Sequence, residues 1–183
     1  MGRSVRALTN LVPVARSFAV RGVVEGFYGT PWTHDARREV ISFLAPRGMN
    51  AYVYAPKDDA KHRAQWRVPY DGDALAQFGD LAAHASGVGV RLGFAISPGL
   101  DITYESDDDR RALLAKLTPL RDAGVAWFLL LVDDIPMQPG LAPRQGALAT
   151  WLANELDGSA LTVCPTEYVG TRPSPYLAEL SAT

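Results

Sequence analysis

Apolar and polar positions along this chain switch repeatedly between a strand-like and a helix-like spacing. Arg21 to Gly26 (RGVVEG) is short and β-branched and predicts a first strand. Thr33 then suits a helix N-cap, with Asp35 in the first turn, where the helix dipole favours an acid. Val40, Ile41, Phe43 and Leu44 supply the apolar face of that helix, and Pro46 and Gly48 stop it. Ala51 to Ala55 (AYVYA) predicts a second strand. A polar loop, AKHRAQWRVPYDG, leads to a second helix that begins near Asp73 and runs through Leu75, Phe78, Leu81 and Ala82 to Gly87. Arg91 to Ile96 (RLGFAI) predicts a third strand. Asp107 to Asp109 read as the acidic N-terminus of a third helix with apolar positions Leu113, Leu114, Leu117 and Leu120.

The fourth strand is the stretch from Ala126 to Pro136, AWFLLLVDDIP. Its apolar run has the pattern of a strand buried on both faces. A helix with Pro143 near its first turn and a stripe of Leu148, Trp151, Leu152 and Leu156 follows, ending at Gly158. Leu161 to Cys164 (LTVC) predicts a fifth strand, and a further helix starts at Pro175. Strands alternating with helices imply a parallel sheet with right-handed crossovers. GVVEGFYG lacks the glycine spacing of a dinucleotide fold. Polar residues instead gather after each strand, as in a TIM barrel. A complete barrel has eight strands in about 250 residues, and this chain has 183. The expected fold is therefore α/β, with about five parallel strands alternating with helices: either an open sheet or an incomplete TIM (β/α)8 barrel.

The chemistry concentrates where the fourth strand ends, at Asp133 and Asp134. Carboxylates are costly to bury unless paired, and such folds place their ligand sites at the carboxyl ends of strands. Side chains alternate across a strand, so both acids can face one ligand only where the chain leaves the sheet. The other strand ends bring Gly26, Phe27 and Tyr28; Lys57, Asp58 and Asp59; Ser97, Pro98, Gly99 and Asp101; and Thr166, Glu167 and Tyr168. Carboxylates, a lysine and aromatic rings suit a sugar. Neighbouring acids do not match the opposed pair of an ordinary retaining glycosidase, which stands about 5 Å apart across the anomeric carbon. They suit a substrate-assisted reaction, in which one acid grips an acetamido group and the other passes a proton. His34, His62 and His84 have no metal-ligand spacing and read as surface or capping residues. No metal and no cofactor are expected. A serine-type nucleophile elbow is absent.

Charge and composition narrow the partners. Eighteen basic against twenty acidic residues give a net charge of −2 with no basic stripe, so nucleic acid is not an expected partner. No apolar run approaches a membrane span. The single cysteine, Cys164, cannot form an internal disulfide. Residues 1–20 read as a short basic leader, too interrupted by Asn10, Pro13 and Arg16 for a secretory signal. The expected location is therefore cytoplasmic.

GVVEGFYGTPW, YAPKDD with KHR and a following tryptophan, AISPGLDIT, LLLVDDI, and CPTEYVGT with PSPYL stand in this order along the chain. Together they resemble glycoside hydrolase family 84, the O-GlcNAcase and bacterial β-N-acetylglucosaminidase (hyaluronidase-like) enzymes. The resemblance runs from about Arg21 to Leu180, so residues 21–183 are expected to be a partial catalytic domain holding the first five barrel strands. It implies retaining, substrate-assisted hydrolysis of terminal N-acetylglucosamine through an oxazoline, on a glycan or glycoprotein. It implies that Asp133 orients and polarises the acetamido group and that Asp134 is general acid and then base. It implies sugar contacts from the Gly26 carbonyl and Lys57, and places Tyr168 beside the acetamido oxygen. The family's further sugar-holding tryptophan, asparagines and aspartate come from strands six to eight. An open five-stranded sheet would expose both edge strands, so self-association is expected there. The alternative is a non-catalytic fragment or sugar-binding module that needs a partner to complete the barrel.

Overall fold

The structure is a computed structural model and describes residues 18–168 and 174–182. The expected leader lies outside the described residues up to residue 17. The strands are β1 (Gly22–Glu25), β2 (Ala51–Tyr54), β3 (Arg91–Ile96), β4 (Trp127–Leu131) and β5 (Ala160–Cys164). The helices are α1 (His34–Leu44), α2 (Gly72–Gly87), α3 (Asp107–Asp122), α4 (Leu141–Glu155) and α5 (Pro175–Ser181). The strands form one sheet in the order β1-β2-β3-β4-β5, with every neighbouring pair parallel. Sequential parallel order sends every crossover the same way, so the helices pack on one face. This is the winding of a (β/α) barrel, as expected.

Alternation along the strands sorts the two faces. Tyr52, Tyr54, Leu92, Phe94, Ile96, Phe128, Leu130 and Val132 pack with helix residues such as Ile41, Phe78, Leu81, Leu113, Leu117, Leu148 and Leu152. The opposite face carries Ala51, Val53, Ala55, Ala95, Trp127, Leu129 and Leu131, with no helix residue among them. Small side chains there let the sheet curl, and Trp127 fills the space above Gly93. A Cβ on Gly93 would sit 2.8 Å from the Trp127 ring. The Trp127 indole donates to Thr162 Oγ1 at 2.9 Å, which ties β4 to β5 on this inner face.

Capping sets the helix starts. Thr33, Asp71, Ser106 and Ser174 each accept a backbone N–H from the first turn they precede. Asp71 brings the start of α2 to Gly72, slightly ahead of the start near Asp73 that the pattern suggests. A larger departure concerns β4. It ends at Leu131, before the two acids: Val132 N–H makes the last bond to β5, at the Cys164 carbonyl, and the chain then turns away. No helix among the described residues is long and apolar enough to cross a membrane.

Replacing Gly93 with alanine should force the Trp127 ring to move and cost roughly 1–3 kcal/mol, as overpacking does. Urea unfolding should show a lower midpoint with an unchanged slope; an unchanged midpoint would remove the Trp127 ring as the reason for this glycine.

Candidate functional site

The carboxyl ends of the strands share one edge of the sheet, and most acids there are already engaged in structure. At the end of β1, Glu25 is fully buried. It takes two bonds from the Arg37 guanidinium, at 2.8 and 2.9 Å, one from Trp32 N–H at 3.0 Å, and one from the Tyr52 hydroxyl. That lattice holds the turn through Gly26, Phe27 and Tyr28 against α1. Gly26 is exposed directly after this buried anchor.

The segment between β2 and α2 is rigid for the same kind of reason. Asp59 accepts from the Tyr54 and Tyr70 hydroxyls at 2.7 and 2.5 Å and from Lys61 N–H at 2.9 Å. Asp58 caps Gly29 N–H at 2.9 Å, and Lys57 N–H bonds the Phe27 carbonyl, so this loop is laced to the one after β1. Lys116 reaches up from α3 to the Lys61 carbonyl at 2.8 Å, and burial pulls its ammonium down to about 8. Ser97 N–H bonds the His62 carbonyl, and Trp66 donates to Asp101 at 2.7 Å. Asp101 also receives Arg67, and Arg67 spans to Asp109, the buried member of the acidic triplet at the start of α3. The polar loop of the sequence reading is thus a packed one, with Trp66 and His62 completely buried. This corrects the reading of His62 as a surface residue. His34 and His84 do sit on helix ends, bonded to Asp80 and to Ser42.

Beyond β4 the pattern changes. Asp134 takes a left-handed backbone conformation, φ 57°, alone among the described non-glycine residues. That conformation is uncommon for a side chain other than Asn, Asp or His. It reverses the chain and lets consecutive acids depart from strand alternation. Asp134 is 52% exposed, and its Oδ2 lies 3.5 Å from Lys57 Nζ and 3.9 Å from Arg63 Nη1. Asp133 is half-buried, and its Oδ1 is fully buried with no hydrogen-bond partner. Cys164, at the end of β5, feels the same group of charges. Burial pushes its thiol up, the field of Asp133 adds to this, and Lys57 opposes it.

The end of β5 is tied to α4 and α5. Thr166 Oγ1 donates to the Val132 carbonyl at 2.5 Å, Thr166 N–H bonds Tyr176, and buried Gln145 links Thr166, Tyr104 and Tyr176. Tyr168 follows, 60% exposed, with no hydrogen bond to Lys57 or to either aspartate. The structure therefore gathers Lys57 with Asp134, keeps Asp133 adjacent, and leaves Gly26 and Tyr168 on the flanking loops. Arg63 joins the group without having been singled out from the sequence. The KHR run beside Lys57 carried the signal. Among the described residues no cluster of three His, Cys, Asp or Glu could hold a metal ion.

Comparison with known proteins agrees with this fold. The family model of the β-N-acetylglucosaminidases matches residues 21–183. The protein O-GlcNAcases of Rattus norvegicus and Mus musculus are 36% and 35% identical to this chain over 192 aligned positions, covering 96% of it. The chain spans about a fifth, 21%, of the length of those relatives. A solved mutant of the Thermobaculum terrenum O-GlcNAc hydrolase superposes with a TM-score of 0.84 at 34% identity, covering 90% of this chain and 39% of that one.

Burial holds the His62 imidazole down at about 4, Asp59 opposing and the nearby cations Lys57, Arg63 and Lys116 reinforcing it. The unfolded chain, with histidine near 6.5, therefore takes up the proton first as pH falls. Stability should drop between about pH 6.5 and 4, by about 2 kcal/mol at pH 5 from this residue. Urea unfolding at pH 7 and pH 5 measures it, and His62→Gln should flatten the difference. An equal loss in that variant would assign the acid lability elsewhere.

Proposed function

This chain belongs to the β-N-acetylglucosaminidase family, and on that premise we propose that it carries the acid pair of a retaining hydrolase removing terminal N-acetylglucosamine from a glycan or glycoprotein. The observation that carries the reading is the buried, unpartnered Oδ1 of Asp133. An acceptor left unsatisfied in this way costs about 1–3 kcal/mol. Asp133 is half-buried as a residue, and a turn of its side chain toward the sugar lets an acetamido N–H supply the missing donor. Held by Asp133, the acetamido oxygen attacks the anomeric carbon as the bond to the leaving oxygen breaks, and Asp134 gives that oxygen its proton. The product of this step is a bound oxazoline, its amide proton passed to Asp133 and taken back when the ring opens. Asp134 then takes a proton from water, which opens the oxazoline and returns the sugar with retained configuration.

Lys57 serves a sugar hydroxyl in this reading, the Gly26 carbonyl another, and Tyr168 closes over the acetamido side. The half-exposed position of Asp134 fits a group that must meet both a leaving group and incoming water. A second reading rests on the sheet edges. β1 and β5 are the outer strands of the sheet, and Val24 on the inner face is 59% exposed. Such edges favour self-association or a partner that extends the sheet, and the chain would then bind the sugar without cleaving it alone.

Turnover of an aryl N-acetylglucosaminide separates these readings. Asp134→Ala should lower kcat by about 10²–10⁴-fold while a non-hydrolysable N-acetylglucosamine analogue still binds. Undiminished turnover would contradict the role of Asp134. Binding by the unsubstituted chain without turnover at any concentration would favour the second reading.

A further inference from the structure

We propose that Arg63 is the positioning residue that keeps Asp134 in place while Lys57 is engaged by substrate, an inference that rests on the role of Asp134 given above. Asp134 has no hydrogen bond of its own among the described residues. Its carboxylate is fixed only by Lys57 Nζ at 3.5 Å and Arg63 Nη1 at 3.9 Å, both on the same Oδ2. Both cations come from the loop after β2. A sugar hydroxyl that recruits Lys57 removes the nearer one, and a half-exposed carboxylate on a left-handed turn then has Arg63 alone to hold it.

Arg63 is built for that task. Its side chain is only 16% exposed. Its Nε is buried without a partner, so the protein does not use every donor of this guanidinium. The guanidinium also donates to the Tyr28 hydroxyl at 3.3 Å, which braces it against the loop after β1. The two residues before it are fixed by the Lys116 bond to the Lys61 carbonyl and the Ser97 bond to the His62 carbonyl, and its own N–H bonds the Ala60 carbonyl. A planar, permanently charged fork on a rigid loop loses little entropy in holding a carboxylate.

Leaving-group dependence tests this. A dinitrophenyl N-acetylglucosaminide expels a stable phenolate and needs no proton, whereas an alkyl N-acetylglucosaminide needs one. In Arg63→Met, kcat for the alkyl substrate should fall at least tenfold with KM little changed, the dinitrophenyl substrate should be nearly unaffected, and Arg63→Lys should restore much of the loss. Equal loss on both substrates would reduce Arg63 to a general structural role and overturn the proposal. A crystal structure of Arg63→Met soaked with a non-hydrolysable analogue gives a reading independent of turnover. The Asp134 carboxylate should move from its place in the unsubstituted protein, and an unmoved carboxylate would overturn the proposal even if activity fell. Absence of turnover in the unsubstituted chain would instead count against the function, leaving the crystallographic result to decide the role of Arg63.

Discussion

The contact between Lys57 and Asp134 joins the ends of β2 and β4 across the intervening β3. As a source of stability it is minor, because a pair with a half-exposed partner contributes about 0–1 kcal/mol. Its importance is positional. It exists because five parallel strands wound in one direction deliver all their carboxyl ends to the same edge. Lys57 is placed by the tyrosines that seize Asp59 and by the bond from its own N–H to the Phe27 carbonyl. Asp134 is placed by the early end of β4 and the left-handed turn after it.

Strand-end carboxylates divide into two groups. Glu25, Asp58, Asp59, Asp101 and Asp109 are each taken by a hydroxyl, an N–H or a guanidinium of the protein itself. Asp133 retains a buried oxygen that nothing in the described chain satisfies, and Asp134 is met only by the Lys57 and Arg63 cations at 3.5 and 3.9 Å. Buried polar atoms in folded proteins are overwhelmingly paired, and the contrast supports the proposed place of the acid pair at the β4 end. The scaffold acids and the open acids depend on one another. Glu25 and Asp59 fix the loops that carry Gly26, Lys57 and Arg63.

Much of this was legible in the sequence. The alternation of strand and helix, the position of every strand and the crowding of polar residues after them follow from local periodicity, and the fold agrees. Where β4 stops was not legible. The apolar run points past Val132, but the last bond to β5 is made by Val132 N–H, and the left-handed turn at Asp134 that follows has no signature in the apolar pattern. Burial of His62 was also hidden, since it sits in a run of charged residues whose packing comes from α3 and β3, distant in sequence. Arg63 stood inside the KHR run, but the run alone does not separate a braced arginine from a solvated one. Only its approach to Tyr28 and Asp134 does so.

The central claim is that Asp133 holds an amide whose oxygen is the nucleophile, so the reacting group belongs to the sugar and not to the protein. Fluorine on the acetamido methyl withdraws electrons from that oxygen without altering the rest of the ring. The most direct measurement is therefore kcat/KM for one aryl glucosaminide carrying acetyl, monofluoroacetyl, difluoroacetyl and trifluoroacetyl groups in turn. The account predicts a steep, monotonic fall across the series. A flat series would mean that the amide oxygen does not attack, and it would contradict the assignment of Asp133.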